Sequence, residues 1–448
     1  MSEASPAPSE ALAKELSLTD AILLLVGGVI GSGIFLTAGQ IAGSVKRADM
    51  FILIWIAGGF ISLLACLSVA ELGGMFPTSG SQFVFLRAAY GELPAFLYGW
   101  IIVAAGQTGA AAAIATGFAT YLASFVPELA PYTKAVAVAA IALVTVINIF
   151  GVKQGAVLVN VATWAKYGGM AALVIFGFAL GKGSITHFAQ RLPDAPNGSQ
   201  LAAAFGLALV SVLFAYEGWS YVTWVAGEMK RGAPDVPKAL IAGICAVIGI
   251  YVMMNAVYVY ALPIDAISQS KAIVREAGEA LFSSRIGTGL AAMVVVSTFG
   301  ALSSAILATA RLAYAMARDG ALFPALAYVH PRYQTPVASL IALGVWASAI
   351  ALSGTFGQLL TFSVFMMILG YIASVGALFV LRRKLPDHPR PYRCIGYPVV
   401  PALYLLVAGA WVLNTLIALP RESLTGLLIA ALGIPGYLYW TRKRGKRA

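Results

Sequence analysis

The chain has 448 residues, of which 60% are hydrophobic and only 10% are charged. Because soluble domains carry about 25% charged residues, this composition excludes a soluble globular protein and indicates an all-α protein that crosses a membrane many times. The net charge of +11 does not indicate a nucleic-acid-binding protein, since the basic residues are spread over many loops instead of one folded face.

The three cysteines and three histidines are isolated along the chain, and none shows the spacing of metal ligands. An enzyme site inside the membrane would need a nucleophile and a base close together, and the apolar segments contain no histidine. We therefore expect no catalytic residues, no metal and no cofactor.

Apolar segments long enough to cross a bilayer, at about 20 residues each, recur along the chain. They predict twelve transmembrane helices, numbered here as spans 1 to 12: Asp20–Gly43, Met50–Gly74, Pro94–Phe125, Lys134–Phe150, Ala156–Gly181, Leu201–Gly227, Val236–Leu262, Ile286–Met316, Pro336–Ser353, Leu359–Leu381, Val399–Leu419 and Leu424–Trp440.

Span 1 concentrates glycine at its centre, where Gly27–Phe35 reads G-G-V-I-G-S-G-I-F. Glycine costs roughly 1 kcal/mol in a helix interior relative to alanine, so a segment that only spans would avoid this pattern. Two interpretations remain open from this stretch alone. It is either an unwound turn that leaves backbone N–H and C=O groups free, or a close helix–helix contact through small residues.

Span 6 favours the first interpretation, because its centre reads F-A-Y-E-G-W-S-Y from Phe214 to Tyr221. This places the carboxylate of Glu217 beside Gly218 at membrane depth, where an ionisable group marks a functional site. Two interrupted spans in corresponding places are typical of a transporter binding site at the midplane. Spans 1 and 6 are five apart, which predicts an inverted five-helix repeat with discontinuous helices 1 and 6.

The two breaks suit a free amino acid. Free N–H groups around Ser32, Gly33 and Ile34 would bind a carboxylate, and free carbonyls around Phe214–Tyr216 would bind an ammonium. The candidate substrate-binding residues are therefore Ile30, Gly31, Ser32, Gly33, Ile34, Phe214, Ala215, Tyr216, Glu217, Gly218 and Trp219.

The sequence leaves more than one role possible for three side chains near these breaks. Trp219 and Phe35 are either aromatic gates over a ligand or ordinary core residues. Glu217 is a proton carrier, a residue that selects the substrate side chain, or a structural acceptor at the unwound turn.

Lys166 lies about 15 Å inside span 5 at 1.5 Å per residue, which is far for its ammonium to reach the membrane surface. We interpret it as a buried ammonium that serves the mechanism, with a lysine that extends to the surface as the alternative. Ser303 and Ser304 in span 8 would ligate a small cation or receive the lysine ammonium, unless they only pack helices closely.

Alternation of the spans divides the basic residues between two sides, with about 19 on the side of both termini and about 9 on the other. Both termini are therefore expected in the cytoplasm. The long outer segment between spans 7 and 8 is either a partly helical lid or a solvated loop.

Several segments together resemble the amino acid–polyamine–organocation transporter superfamily. Two of them, F-A-Y-E-G-W and A-G-E-M-K, look most like its L-type amino acid transporter branch, especially bacterial serine/threonine exchangers. The segments that carry the resemblance are Gly27–Phe35, A-E-L-G-G-M-F-P-T-S-G (Ala70–Gly80), Ala165-Lys166, F-A-Y-E-G-W (Phe214–Trp219), A-G-E-M-K (Ala226–Lys230), A-R-D-G (Ala317–Gly320) and R-P-Y-R (Arg390–Arg393).

The resemblance implies alternating access and sodium-independent antiport of neutral L-amino acids in a bacterial plasma membrane. It implies that Gly31–Gly33 bind the substrate carboxylate and Phe214–Gly218 its amine. It also implies that Lys166 replaces a sodium ion and links spans 1 and 8. Glu217 stands where the family varies among small and polar residues, so the side-chain preference stays open.

Animal members of the branch carry an external cysteine before span 4 that bonds a glycoprotein subunit. Phe125–Lys134 contains none, so a lone subunit without a disulfide-linked heavy subunit is expected, with membrane lipids as its surroundings. Alanine, serine and threonine form the expected size class, because alanine and glycine dominate Ala104–Thr116. A proton-coupled symporter is the alternative, and a channel or intramembrane enzyme is a remote one.

The expected organisation has five parts: a cytoplasmic tail at 1–19, a ten-helix core at 20–381 with repeats at about 20–181 and 201–381, a cytoplasmic connector at 382–398, helices 11 and 12 at 399–441, and a basic cytoplasmic tail at 442–448.

Overall fold

The structure, a computed structural model, describes residues 16–78, 81–150 and 152–444. The expectations for 1–15, 79–80, 151 and 445–448 lie outside the described residues. All regular elements in the described part of the chain are helices, which confirms the predicted all-α fold.

Each predicted span corresponds to one helix or to a pair of half-helices. Within the described residues, ten segments are long and apolar enough to cross a membrane, and apolar helix also covers Lys166–Leu180 of span 5 and Val337–Ser353. The observed bounds of spans 1 to 12 are Leu18–Val29 with Gly33–Leu36, Ala48–Met75, Glu92–Ala123, Thr133–Phe150, Val152–Leu180, Gly198–Ala215 with Tyr221–Trp224, Gly232–Ala261, Ser284–Arg318, Val337–Ser353, Phe356–Lys384, Val399–Ala418 and Pro420–Arg444.

Span 1 is discontinuous at the predicted place. It starts at a capping box in which the Ser17 N–H donates to the Asp20 carboxylate at 2.9 Å. Its first half ends at Val29, where Ile30 leaves the helical conformation with ψ 69°. The Gly31 N–H then bonds the Val29 carbonyl at 2.6 Å instead of a carbonyl four residues back, so the helical ladder is interrupted.

Span 6 is also discontinuous, and its break lies against the break of span 1. The helix ends at Ala215 and resumes at Tyr221. Gly218 has φ +113°, a conformation that glycine adopts without steric cost. A Cβ at Gly218 would lie 2.8 Å from the Gly28 carbonyl oxygen, so only a residue without a side chain permits this approach.

The contacts between spans follow the predicted repeat. If spans 1 to 5 change places with spans 6 to 10 in order, span 1 takes the place of span 6 and span 7 that of span 2. The observed contact between spans 1 and 7 then corresponds to the observed contact between spans 6 and 2. In the same way, the contact of spans 3 and 10 corresponds to that of spans 8 and 5, and the contact of spans 3 and 9 to that of spans 8 and 4. Because five is odd, the second set of helices has the opposite direction through the membrane. The chain therefore has the inverted five-helix repeat that the two broken spans indicate.

The long segment between spans 7 and 8 forms two helices, Ile264–Gln269 and Ile273–Leu281. The first contacts the helix Ala38–Val45 that follows span 1, and the second contacts the half-helix Gly33–Leu36. Ile264 and Ile273 are buried, so this segment is a lid and not a solvated loop.

Two of the motif segments meet at the end of the bundle that carries the termini. Glu71 of span 2 is fully buried, and its carboxylate accepts hydrogen bonds from Arg382 at 3.0 and 2.6 Å. It also accepts from the Cys394 N–H at 2.6 Å, and the Arg390 Nε lies 3.2 Å from it. Loss of one partner of such a buried ion pair typically costs about 3–5 kcal/mol, so this cluster ties span 2 to the end of span 10.

Candidate functional site

A cavity of about 430 Å³ lies where the broken turn of span 1 faces spans 3, 5, 6 and 8, within the size range of about 300–1,000 Å³ that small-molecule sites occupy. Its lining residues come mostly from the glycine-rich turn and from small residues of span 8. They are Leu23, Leu24, Gly27, Gly28, Val29, Gly31, Ser32, Gly33, Gln107, Ala110, Ile114, Lys166, Phe214, Glu217, Tyr221, Ser297, Gly300, Ala301, Ser304, Ala305 and Ala308.

The break in span 1 leaves backbone donors free beside this cavity. The N–H groups of Ser32, Gly33 and Ile34 donate no hydrogen bond to any residue that the structure describes. The Ser32 hydroxyl, 2% exposed as a residue, is likewise without a partner there. These three consecutive N–H groups stand at the start of the half-helix Gly33–Leu36, and unpaired N–H groups at helix N-termini attract anions.

The break in span 6 leaves fewer carbonyls free than predicted. The Phe214 carbonyl accepts from the Glu217 N–H at 3.1 Å, and the Ala215 carbonyl accepts from the Tyr251 hydroxyl at 2.8 Å. Among the three expected carbonyls, only that of Tyr216 accepts no hydrogen bond from a described residue. The turn closes on itself and on span 7, so two of the three acceptors predicted for an ammonium are already used.

Tyr251 of span 7 joins the two broken helices. Its hydroxyl lies 2.9 Å from the Val29 carbonyl oxygen and 2.8 Å from that of Ala215. Its ring packs edge-on against Trp55 with centroids 5.5 Å apart. Nothing in the sequence distinguished this tyrosine from an ordinary core residue.

Replacement of Tyr251 by phenylalanine should slow transport without preventing folding. The ring packing is retained, while the hydroxyl hydrogen that the Val29 and Ala215 carbonyls share is lost, at a cost of about 1 kcal/mol. We expect the initial rate of amino acid uptake to fall by roughly tenfold in a proteoliposome assay.

Tyr258→Phe is the matched control for this change. Tyr258 is fully buried on the same helix, and its hydroxyl has no partner among the described residues. Uptake by that variant should equal that of the wild type, and an equal loss in both variants would show that Tyr251 has no special role.

Lys166 is buried, with 4% of its surface exposed, and does not extend to the membrane surface. Its ammonium donates to the Gly27 carbonyl at 3.1 Å and to the Ile30 carbonyl. These are carbonyls that the interruption of span 1 releases. A positive charge therefore lies against the interrupted turn of span 1.

The two serines of span 8 do not receive this ammonium. The Ser303 hydroxyl donates to Asn148 of span 4 at 3.2 Å, and the Asn148 side chain donates back to the Ser303 carbonyl at 3.1 Å. The Ser304 hydroxyl bonds the Gly300 carbonyl at 3.1 Å within its own helix. Ser304 lines the cavity and Ser303 does not, so the predicted pair is separated by the helical rotation between consecutive residues.

Glu217 lines the cavity, and one of its carboxylate oxygens accepts from the Tyr371 hydroxyl of span 10 at 2.6 Å. Trp219 stacks on the ring of Tyr371 with centroids 4.8 Å apart and is 2% exposed. It does not line the main cavity. Phe35 is 1% exposed and does not line the main cavity either, and the role of both aromatics as gates stays a prediction.

The predicted site residues thus fall into two groups. Gly31, Ser32, Gly33, Phe214, Glu217, Lys166 and Ser304 line the cavity, whereas Ile30, Ile34, Ala215, Tyr216, Gly218, Trp219 and Ser303 lie behind it. Sequence reasoning missed Gln107, Tyr221 and Ser297. Both Tyr221 and Gln107 are visible in the sequence as candidates. Tyr221 ends the F-A-Y-E-G-W-S-Y segment, and Gln107 is a polar residue within an apolar span.

The cavity extends towards the side that carries the termini. Its lining reaches Leu23, 51% exposed, in the first half of span 1 and Ala308 in the second half of span 8. The opposite side is closed, since the Tyr121 hydroxyl bonds the Phe35 carbonyl at 2.8 Å and the lid helix Ile273–Leu281 contacts the half-helix Gly33–Leu36. These contacts lie between the cavity and the side away from the termini.

A family model described as amino acid permease matches residues 16–438. The serine/threonine exchanger SteT of Bacillus subtilis (strain 168) is 30% identical over 438 residues, which cover 97% of this chain and 98% of that protein. The b(0,+)-type amino acid transporter 1 of Homo sapiens is 30% identical over 451 residues, with 97% and 91% covered. The human cystine/glutamate transporter is 27% identical over 443 residues, with 96% and 87% covered.

Proposed function

Because the chain belongs to the amino acid permease family and transports amino acids, we propose that it works as a sodium-independent antiporter of neutral L-amino acids by alternating access. The observation that carries this proposal is the pair of abutting helix breaks, with the Lys166 ammonium bound to carbonyls that the first break releases.

The main chain of span 1 binds the substrate carboxylate. The N–H groups of Ser32, Gly33 and Ile34 are free at the positive end of a half-helix, which carries about half an elementary charge. Near the break in span 6, the Glu217 carboxylate is the acceptor that lines the cavity, and it binds the α-ammonium. Main-chain recognition of the substrate carboxylate suits a site at membrane depth, where an additional bare charge is costly.

Lys166 takes the place of a coupling sodium ion. Its ammonium occupies the Gly27 and Ile30 carbonyls, which would otherwise be hard oxygen ligands for a small cation. The lysine is covalently attached and cannot dissociate with the substrate, so its charge adds no ion to the transport cycle. Transport is then independent of sodium.

The charges of the cavity favour a neutral substrate. Lys166 and Glu217 are the charged residues among its described lining residues, and their formal charges cancel. An amino acid without a charged side chain adds one ammonium and one carboxylate to this balance. A substrate with a net charge would leave an uncompensated charge in a medium where it is expensive.

The contacts on the outer side and the exposed lining on the inner side support alternating access. We assign the side of the termini to the cytoplasm on the excess of basic residues there. The structure then corresponds to an inward-facing state, in a bacterial plasma membrane, of a carrier that acts as a lone subunit. The printed name of the Bacillus relative, an exchanger, supports exchange over net uptake.

Purified protein in liposomes tests the proposal. Liposomes preloaded with unlabelled serine should take up radiolabelled threonine, empty liposomes should not, and replacement of sodium by choline should leave the rate unchanged. A requirement for sodium would contradict the assigned role of Lys166.

A proton-coupled symporter is the second candidate, and the Glu217 carboxyl in the cavity wall is the observation that favours it. Uptake into empty liposomes driven by a pH gradient alone would establish symport and overturn the antiport proposal. Flux of unrelated small solutes through the same liposomes would instead indicate a channel.

A further inference from the structure

The geometry points to Gln107 as the residue that selects the substrate side chain, by donating a hydrogen bond from its amide to an acceptor oxygen. The class of substrate that follows is a small neutral amino acid with a hydroxyl or carboxamide side chain. This inference rests on the proposed function and adds a residue of span 3 to it.

The wall of the cavity opposite the glycine-rich turn is built mainly from small or apolar side chains. On span 3 the wall consists of Gln107, Ala110 and Ile114, which share one face of the helix. On span 8 it consists of Ser297, Gly300, Ala301, Ser304, Ala305 and Ala308, again one face. Gln107 is the member of these two faces with a long side chain that offers hydrogen-bond donors.

A local distortion of span 3 comes directly before Gln107. Ile102–Gly106 form a π-helical turn, an element that occurs often at functional sites. Two carbonyls of this π-helical turn accept hydrogen bonds from neighbouring spans. The Trp346 indole N–H of span 9 donates to the Ala104 carbonyl at 2.8 Å, and the Ser363 hydroxyl of span 10 bonds the Gly106 carbonyl. The turn is therefore held in place from two sides, which fixes the position of Gln107.

Among the residues that the structure describes, the side-chain amide of Gln107 has a hydrogen-bond partner for its oxygen but none for its nitrogen. Its oxygen accepts from the Tyr221 hydroxyl at 3.1 Å, while its nitrogen has no partner among the described residues. The residue is 3% exposed. A buried donor without a partner costs about 1–3 kcal/mol, so the arrangement is explained if the substrate supplies the acceptor.

The other polar groups of the cavity wall limit which substrate side chains fit beside Gln107. Ser304 is bonded within its own helix and Lys166 to span 1, whereas the hydroxyls of Ser32 and Ser297 have no described partner. A hydroxyl can donate or accept, so these two serines can serve either kind of polar substrate group. The carboxylate of Glu217 would repel an acidic side chain, whereas a hydroxyl or a carboxamide both accepts from Gln107 and offers a hydrogen to a neighbouring oxygen. An alkyl side chain would leave the amide nitrogen of Gln107 unpaired.

Competition by unlabelled amino acids against labelled substrate, in proteoliposomes that hold the full chain, tests this inference. The readout is the ratio of apparent affinities within pairs of similar shape, threonine against valine and asparagine against leucine. The wild type should prefer the polar member of each pair. Gln107→Leu and Gln107→Met should lower the threonine-to-valine ratio by about tenfold and leave the affinity for alanine within about twofold of wild type.

Gln82→Leu is the matched control, because Gln82 is a buried glutamine whose oxygen accepts from Trp224 at 3.1 Å and whose nitrogen also has no described partner. It does not line the cavity, so its variant should keep the wild-type ratio whatever its overall flux.

A wild-type protein that exchanges amino acids but prefers valine to threonine would overturn the role of Gln107 and leave the proposed antiport intact. An unchanged ratio in both Gln107 variants would do the same. If neither variant folds, the wild-type ratio alone decides. Absence of any amino acid exchange would instead refute the proposed antiport.

Discussion

Replacement of Lys166 by alanine is expected to reduce exchange by at least about 100-fold while the protein still folds. The change removes two charge-assisted hydrogen bonds, to the Gly27 and Ile30 carbonyls, each worth about 1.5–3 kcal/mol. Those carbonyls would then lie unpaired in the break that positions the carboxylate-binding N–H groups. The initial rate of threonine exchange into preloaded liposomes measures the effect.

The control for this variant is Lys134→Ala. Lys134 also donates to a main-chain carbonyl, that of Leu352 at 2.8 Å, but it lies at the exposed start of span 4. Its loss should change the rate by less than about twofold, as expected for an exposed group away from the site. Gel filtration and a thermal melt of both variants separate loss of transport from loss of folding.

The effect of sodium on residual transport by the Lys166→Ala variant is a second test of the role of Lys166. Without the ammonium, the Gly27 and Ile30 carbonyls, which contact the same Lys166 nitrogen, are unpaired oxygen ligands for a cation. A gain of residual transport when choline is replaced by sodium would indicate that the lysine stands where a cation would bind. Wild-type exchange in the alanine variant would contradict both the coupling role and the explanation of sodium independence.

The helix breaks were predictable because glycine at the centre of an apolar span has a cost that packing alone does not require. Lys166 was predictable for a similar reason, since its distance from either membrane surface left no inexpensive place for its charge. In both cases the local sequence carries the energetic penalty, so the signal does not depend on knowledge of the neighbouring helices.

The residues that were misplaced depend on helical rotation and on partners far away in sequence. Ser303 and Ser304 are adjacent, yet one faces span 4 and the other faces the cavity, and the sequence does not show which. Tyr251 and Gln107 act through contacts with spans that are distant along the chain. The π-helical turn before Gln107 also shifts the register of span 3, which a regular helical periodicity cannot represent.

Gly33→Ala is expected to lower exchange by roughly 30-fold or more, although alanine favours a helix over glycine by about 1 kcal/mol. Gly33 begins the second half of span 1, and its φ is not in the left-handed region, so alanine is compatible with its backbone. A Cβ there would lie 2.4 Å from the Ala215 Cα and 2.7 Å from its Cβ. The neighbour is main chain of span 6, which cannot move aside as a flexible side chain does.

The added methyl group must therefore push the two broken helices apart, at an overpacking cost of about 1–3 kcal/mol or more. The N–H groups for the carboxylate and the acceptors for the ammonium would then no longer fit one amino acid. Gly409→Ala is the control, because that glycine of span 11 has open space around its Cβ position and should tolerate alanine without loss of rate. Exchange measured at several substrate concentrations should show a weakened apparent affinity for Gly33→Ala. Wild-type affinity in that variant would mean that the contact between the two breaks does not set the geometry of the site.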